Sequence, residues 1–120
     1  MRSVRWKHAA PKAKARPRHE PGKMNKTEQA YFEQVLKPRV MAGELASAQF
    51  EVLKLRLAKA TFYDTDFLVV TADGQIEIHE VKGHWEDDAR VKFKVAVEMF
   101  PWFKFRVIQR KKGQWIFDDY

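Results

Sequence analysis

Asp66, Glu80 and Lys82 are residue types whose spacing could do chemistry together. Glu80 and Lys82 end the apolar, β-branched stretch IEIHEVK that starts at Ile76. Side chains alternate faces along a strand, so Glu80 and Lys82 share a face with Ile76 and Ile78, while His79 and Val81 point the other way. Two residues of strand rise put the Glu80 and Lys82 Cα atoms about 7 Å apart. Asp66 lies in the preceding stretch, Phe62 to Val70, on one face with Asp64, Phe62, Leu68 and Val70. Register decides whether the two charged sets meet. If they do, carboxylates and an ammonium group share one end of an otherwise apolar face, which is unfavourable unless the charges are compensated. A hard divalent cation would compensate them. Mg²⁺ takes oxygen ligands, typically one or two carboxylates with waters and phosphate oxygens. Asp66 and Glu80 can supply the carboxylates and the Val81 carbonyl a third ligand. Lys82 would then stand where an attacking water is held. The plain alternative is a solvated Glu80–Lys82 pair at a strand end, with Asp66 an ordinary polar residue.

The elements that must position these groups follow from pattern. Phe62 to Val70 and Ile76 to Val81 read as two strands, and Asp73-Gly74 between them suits the φ > 0 positions of a tight turn. Ahead of them, Asn25 to about Ala42 reads as a helix. Asn25 is the expected N-cap and Glu28 stands at capping-box spacing, with Thr27 a rival cap. Phe32, Val35 and Leu36 form the helix's apolar stripe, Pro38 is expected to kink or interrupt it and Gly43 to stop it. Glu28 lies one turn before Phe32 on the same face, so it either only caps the helix or also brings a third acid to the site. Gln49 to Leu57 reads as one strand with a bulge near Val52 and Leu53, Lys54 and Arg56 forming its wet face.

Beyond Gly83, Glu86-Asp87-Asp88 opens a segment with helical spacing at Ala89, Phe93, Ala96, Val97 and Phe100, although Arg90 to Glu98 also alternates as a strand does. Its length and the run to Pro101 favour a helix, as does the crossover that flanking parallel strands require. Lys92 and Lys94 on it either touch phosphates or are solvated. Phe103 to Gln109 and Trp115 to Phe117 read as final strands joined by a turn at Lys112-Gly113. The expected fold class is α/β, a mixed central β-sheet flanked by helices in the order αβββαββ. His79 and His84 are read as structural or surface residues.

Tyr63-Asp64-Thr65-Asp66 followed by Glu80-Val81-Lys82 resembles the PD-(D/E)XK nuclease motif, over about residues 25–120. The likeness is to small phage-type endonucleases related to Holliday-junction resolvases. It implies a restriction-endonuclease-like core, with Asp66 as the first acid and Glu80 and Lys82 as the second half of the motif. It also implies Mg²⁺ or Mn²⁺ as cofactor, a Glu on the first helix (here Glu28) near the site, DNA as substrate and a homodimer. Thr65 stands where the family often has Pro. Asp64 is a second candidate for the first acid, and the Asp-Phe-Leu-Val order favours Asp66.

Charge separates an arm from a domain. The chain has 120 residues, a net charge of +7 and no cysteine. Residues 1–24 carry eight basic groups (Arg2, Arg5, Lys7, Lys12, Lys14, Arg16, Arg18 and Lys23) against Glu20, so residues 25–120 are neutral. The arm, with Pro11, Pro17 and Pro21, is expected to be flexible. It reads either as a phosphate-binding segment or as a solubilising tail, and Trp6 in it could stack on a base. The remainder is of one-domain size. No apolar run suits a transmembrane helix, and the basic N-terminus lacks the apolar segment of a signal peptide. The absence of cysteine excludes disulfides and fits a reducing compartment. The expected location is the cytoplasm, that of the host cell if the gene is a phage's.

Together these features point to metal-dependent hydrolysis of DNA phosphodiester bonds. The rival is a non-catalytic nucleic-acid-binding protein that uses the basic arm. It accounts for the charge but leaves the presence of Asp66, Glu80 and Lys82 together without a reason. The expected homodimer would draw its interface from Trp85, Trp102 and Trp115.

Overall fold

A computed structural model describes residues 20–120. The arm residues Arg2, Arg5, Trp6, Lys7, Lys12, Lys14, Arg16 and Arg18 lie outside the described residues.

The first helix starts where the capping pattern places it. The Asn25 side chain accepts from the Glu28 N–H, and the Glu28 carboxylate accepts from the Asn25 N–H, both at 2.8 Å. From this reciprocal cap, α1 (Lys26–Tyr31) runs through a π-helical stretch (Phe32–Leu36) into α2 (Lys37–Met41). Pro38 does not interrupt the helix. Proline crowds the carbonyl one turn before it, and the widened turn lies there, with the Lys37 N–H reaching back five residues to the Phe32 carbonyl. Gly43 then adopts φ +79°, its N–H bonding Val40 while the Glu44 N–H bonds Arg39. That is the paired bonding of a glycine-terminated helix.

Seven strands follow: β1 (Leu45–Phe50), β2 (Lys54–Ala58), β3 (Thr61–Asp64), β4 (Phe67–Thr71), β5 (Ile76–Val81), β6 (Lys104–Lys111) and β7 (Gln114–Asp119). Helix α3 (Asp87–Met99) joins β5 to β6. The strand-like alternation of Arg90 to Glu98 therefore gives way to a helix, and β5 and β6 do pair in parallel. The five-stranded sheet has the order β1-β4-β5-β6-β7, with every other neighbour pair antiparallel. The β4–β5 turn has Gly74 at φ +90°.

Two expected strands are each broken in two. Gln49 to Leu57 is interrupted at Glu51, whose φ is +51°, and Phe62 to Val70 at Thr65 and Asp66. The breaks face each other. The Glu51 N–H donates to the Asp66 carbonyl at 2.8 Å, and the Thr65 N–H and hydroxyl both donate to the Leu53 carbonyl. Both chains therefore bend together, and β2 and β3 leave the main sheet as a separate hairpin.

The sheet is packed on both faces. Tyr31, Leu36, Leu45, Phe67, Val69, Val81 and Ile108 form a core on the side of α1 and α2. On the other side Ile78, Phe105 and Val107 pack with Phe93 and Ala96 of α3 and with Leu55 and Tyr63 of the bent hairpin. The alternation read along β5 is thus realised, with Val81 in one core and Ile78 in the other. Among the described residues no helix is long and apolar enough to cross a membrane.

Candidate active site

Asp66 sits in the bend, directly before β4. The β4–β5 register pairs Phe67 with His79, and one further step brings Asp66 to Glu80. The Val81 N–H donates to Asp66 Oδ2 at 2.9 Å, which ties the bend to the end of β5. Lys82 is held there by its own N–H, which bonds the Ile108 carbonyl of β6 at 2.9 Å. Its Nζ lies 3.0 Å from Glu80 Oε1. The other Glu80 oxygen, Oε2, accepts a short hydrogen bond from the Tyr63 hydroxyl. Glu28, buried at the start of α1, completes the group.

All four expected residues, Asp66, Glu80, Lys82 and Glu28, line one cleft of about 740 Å³. Lys92 of α3 also lines it, one turn beyond Ala89. Lys94 is exposed and outside the cleft, as is His84. Of the two readings of Glu28, the cap is present and the side chain also reaches the cleft. Asp64 does not compete with Asp66 at Glu80: it is exposed, 3.9 Å from Lys54. Val81 contributes its N–H to Asp66, while its side chain belongs to the core.

Electrostatics couple these groups. Burial raises the Asp66 pKa well above the usual carboxylate range, and Glu80 and Glu28 add to the rise, against Lys82 and the Val81 N–H. Burial likewise raises Glu80, opposed by Lys82 and the Tyr63 hydroxyl. Lys82 titrates above an ordinary lysine, because its carboxylate neighbours outweigh its burial. Five carboxylates (Glu28, Glu51, Asp64, Asp66 and Glu80) line the cleft with only three ammonium groups, those of Lys54, Lys82 and Lys92. Such a lining favours cations.

As the side chains stand, no three His, Cys, Asp or Glu groups among the described residues form a metal-holding cluster. Lys82 and Tyr63 instead engage the two Glu80 oxygens. The donor set itself fits a hard cation: it is all oxygen, and each hydrogen-bonded carboxylate oxygen keeps a second lone pair.

Tyr63 is the residue that sequence reasoning missed. Strict alternation puts residues 63 and 66 on opposite faces, and only the break at Thr65 turns both toward Glu80. No local signal in the sequence marks it.

His79 is structural, as read. It is fully buried on the opposite face, with Nδ1 2.7 Å from the Tyr31 hydroxyl and Nε2 2.8 Å from Glu77. Burial holds its pKa below the ordinary value. The Glu77 carboxylate only accepts, so Nε2 carries the proton and Nδ1 accepts from Tyr31. Arg106 completes the network, 3.8 Å from Glu77 and bonded to Asp119.

The described residues thus form a mixed α/β domain with an acid-rich cleft at the end of β5. No protein-family model matches the chain, and no characterised protein or solved structure matches it significantly.

Proposed function

We propose that the chain is a metal-dependent endonuclease that hydrolyses DNA phosphodiester bonds, built on a restriction-endonuclease-like core. The observation that carries this reading is the convergence of Asp66, Glu80 and Lys82 on one cleft, with Lys82 Nζ 3.0 Å from Glu80. The residues that would hold Mg²⁺ or Mn²⁺ are Asp66, Glu80 and the Val81 carbonyl. Such a cation, when bound, supplies positive charge to the scissile phosphate and lowers the pKa of a bound water.

The chain's own groups do the rest. Lys82 orients the attacking water and stabilises negative charge developing on the phosphate. Tyr63 fixes the Glu80 carboxylate through Oε2. Glu28 adds a third acid and binds outer water, while Lys92 neutralises a neighbouring phosphate. The arm cations Arg2, Arg5, Lys7, Lys12, Lys14, Arg16 and Arg18 grip the backbone beyond the cleft, and Pro21 and Gly22, where the arm enters the domain, line its wall. The enzyme acts as a homodimer, matching the two-fold symmetry of a junction or a two-strand cut, in the cytoplasm where DNA is reached.

The excess of carboxylates supports catalysis over simple binding. A polyanion enters an acid-rich cleft only with cations, so a pure binder would be hindered by this lining. Incubation with supercoiled plasmid and a four-way junction, in Mg²⁺ or Mn²⁺ and in EDTA, tests the reading. Cleavage only with metal is expected. Binding without cleavage under every metal condition would replace the enzyme by the non-catalytic binder.

A further inference from the structure

The bent hairpin does more than deliver Tyr63. Its register pairs Leu55 with Tyr63, the inward residues, and Lys54 with Asp64 and Arg56 with Phe62, the outward ones. Phe62 is 36% exposed and Val52, beside the bend, 53%. Lys54 Nζ stands 4.7 Å from the Phe62 ring centroid and 3.9 Å from Asp64, so the ammonium is kept over the ring. Phe62, Val52 and Lys54 line the same cleft as Asp66 and Glu80, with Lys92 also in its lining.

We propose that this outward face, centred on Phe62, binds an unpaired nucleotide of the strand in the cleft. The base takes the place of the Lys54 ammonium over the Phe62 ring and packs on Val52, while the displaced Lys54 ammonium and Lys92 take the adjoining phosphates. The proposal rests on the endonuclease reading for where the reacting bond lies, and it names the substrate class: DNA with an unpaired nucleotide next to the scissile phosphate. The physical reason is what a duplex shows to a protein. Its bases stack on one another and present edges and phosphates, whereas an unpaired base offers its π-face to an aromatic ring. The hairpin's inward contacts are made by Leu55, Leu57 and Tyr63, so the solvent-facing phenyl is left for a ligand, a base over the ring with the Lys54 cation moved from the ring to the phosphate.

The test is fluorescence anisotropy of the full chain with a labelled single-stranded oligonucleotide and with the same sequence as duplex, at one salt concentration with Ca²⁺ in place of Mg²⁺ or Mn²⁺. Wild type is expected to bind the single strand more tightly. Phe62→Ala should weaken single-strand binding about 5- to 150-fold, the range for losing one base–aromatic stack, and change duplex binding less than twofold. Phe62→Leu keeps apolar volume for the fold and should show the same selective loss, and Phe62→Trp should restore binding. Equal losses on both DNAs, no loss on either, or no binding by wild type would overturn the proposal. So would an unchanged single-strand affinity with loss of self-association, which assigns the face to a second copy. Because hydrolysis is not read, Phe62-dependent single-strand selectivity without metal-dependent cleavage upholds this proposal and removes only the nuclease reading. The reverse result removes only this one.

Discussion

Replacing Tyr63 with Phe deletes one hydroxyl and leaves the ring in place against Phe93, where the centroids are 5.9 Å apart. That hydroxyl donates to Glu80 Oε2 in the interior. A hydrogen bond to a charged group contributes about 1.5–3 kcal/mol. If the bond is kept in the reacting complex, its loss lowers kcat/KM by about 10- to 150-fold, at 1.36 kcal/mol per factor of ten. A second effect separates this role from mere packing. The Tyr63 bond opposes the burial that raises the Glu80 pKa, so removing it raises that pKa further. The active form needs Glu80 ionised, and the acid limb of the pH–rate profile therefore moves to higher pH. The assay is initial cleavage rates of a labelled oligonucleotide between about pH 5 and 9 at saturating Mg²⁺, with thermal melts of both proteins. A lower melting temperature with an unmoved acid limb and kcat/KM within about twofold of wild type would refute the reasoning.

Asp66→Asn should raise thermal stability in EDTA at about pH 8. Its folded pKa lies above the unfolded one, so its stabilising contribution is present below the unfolded value, near pH 4, and is lost as pH rises through the folded pKa. The gain over wild type should close as pH falls toward 4, and a lower melting temperature for the variant at pH 8 would contradict this. Deleting residues 1–23 removes eight of the 23 basic residues and should weaken DNA binding while sparing cleavage. The slope of log K against log salt should flatten by about 0.9 for each phosphate that the arm no longer neutralises, and an unchanged slope would make the arm a solubilising tail. Light scattering at micromolar concentration should give a dimer mass with and without a four-way junction, and a monomer in both would exclude the dimer. Of the tryptophans, Trp102 is 76% exposed, whereas Trp85 packs on Phe93 and Trp115 on Tyr31, so Trp102→Ala is the variant to compare.

What was legible in the sequence is what local chemistry dictates. The Asn25–Glu28 cap, the Gly43 stop, the Asp73-Gly74 and Lys112-Gly113 turns and the alternation along β5 all depend on residues within a few positions of one another. Glu80, Lys82 and Asp66 were legible as candidates from residue type and spacing, and the register that the sequence left open is supplied by the β4–β5 pairing. The double break at Glu51 and Thr65 was not. It forms through hydrogen bonds between two segments, Glu51 to Asp66 and Thr65 to Leu53, and no residue there is a glycine or proline that would announce it. Everything that hangs on the bend was hidden with it: Tyr63 at Glu80, Asp64 turned out to solvent, and the approach of Lys54, exposed on the wet face as read, to the Phe62 ring. Pro38 misled for a related reason, since the helix absorbs it by widening over Phe32–Leu36 and continues through Lys37–Met41 without interruption.

The most direct test of the central claim is single-turnover cleavage by Glu80→Gln beside wild type, with DNA affinity measured for both. The substitution keeps the side chain's shape and its acceptor for Tyr63, and removes the charge at the centre of the cleft. The account predicts metal-dependent cleavage by wild type, no detectable cleavage by the variant, and folding and DNA affinity that are retained. Unchanged turnover by Glu80→Gln in Mg²⁺ or Mn²⁺ would contradict it.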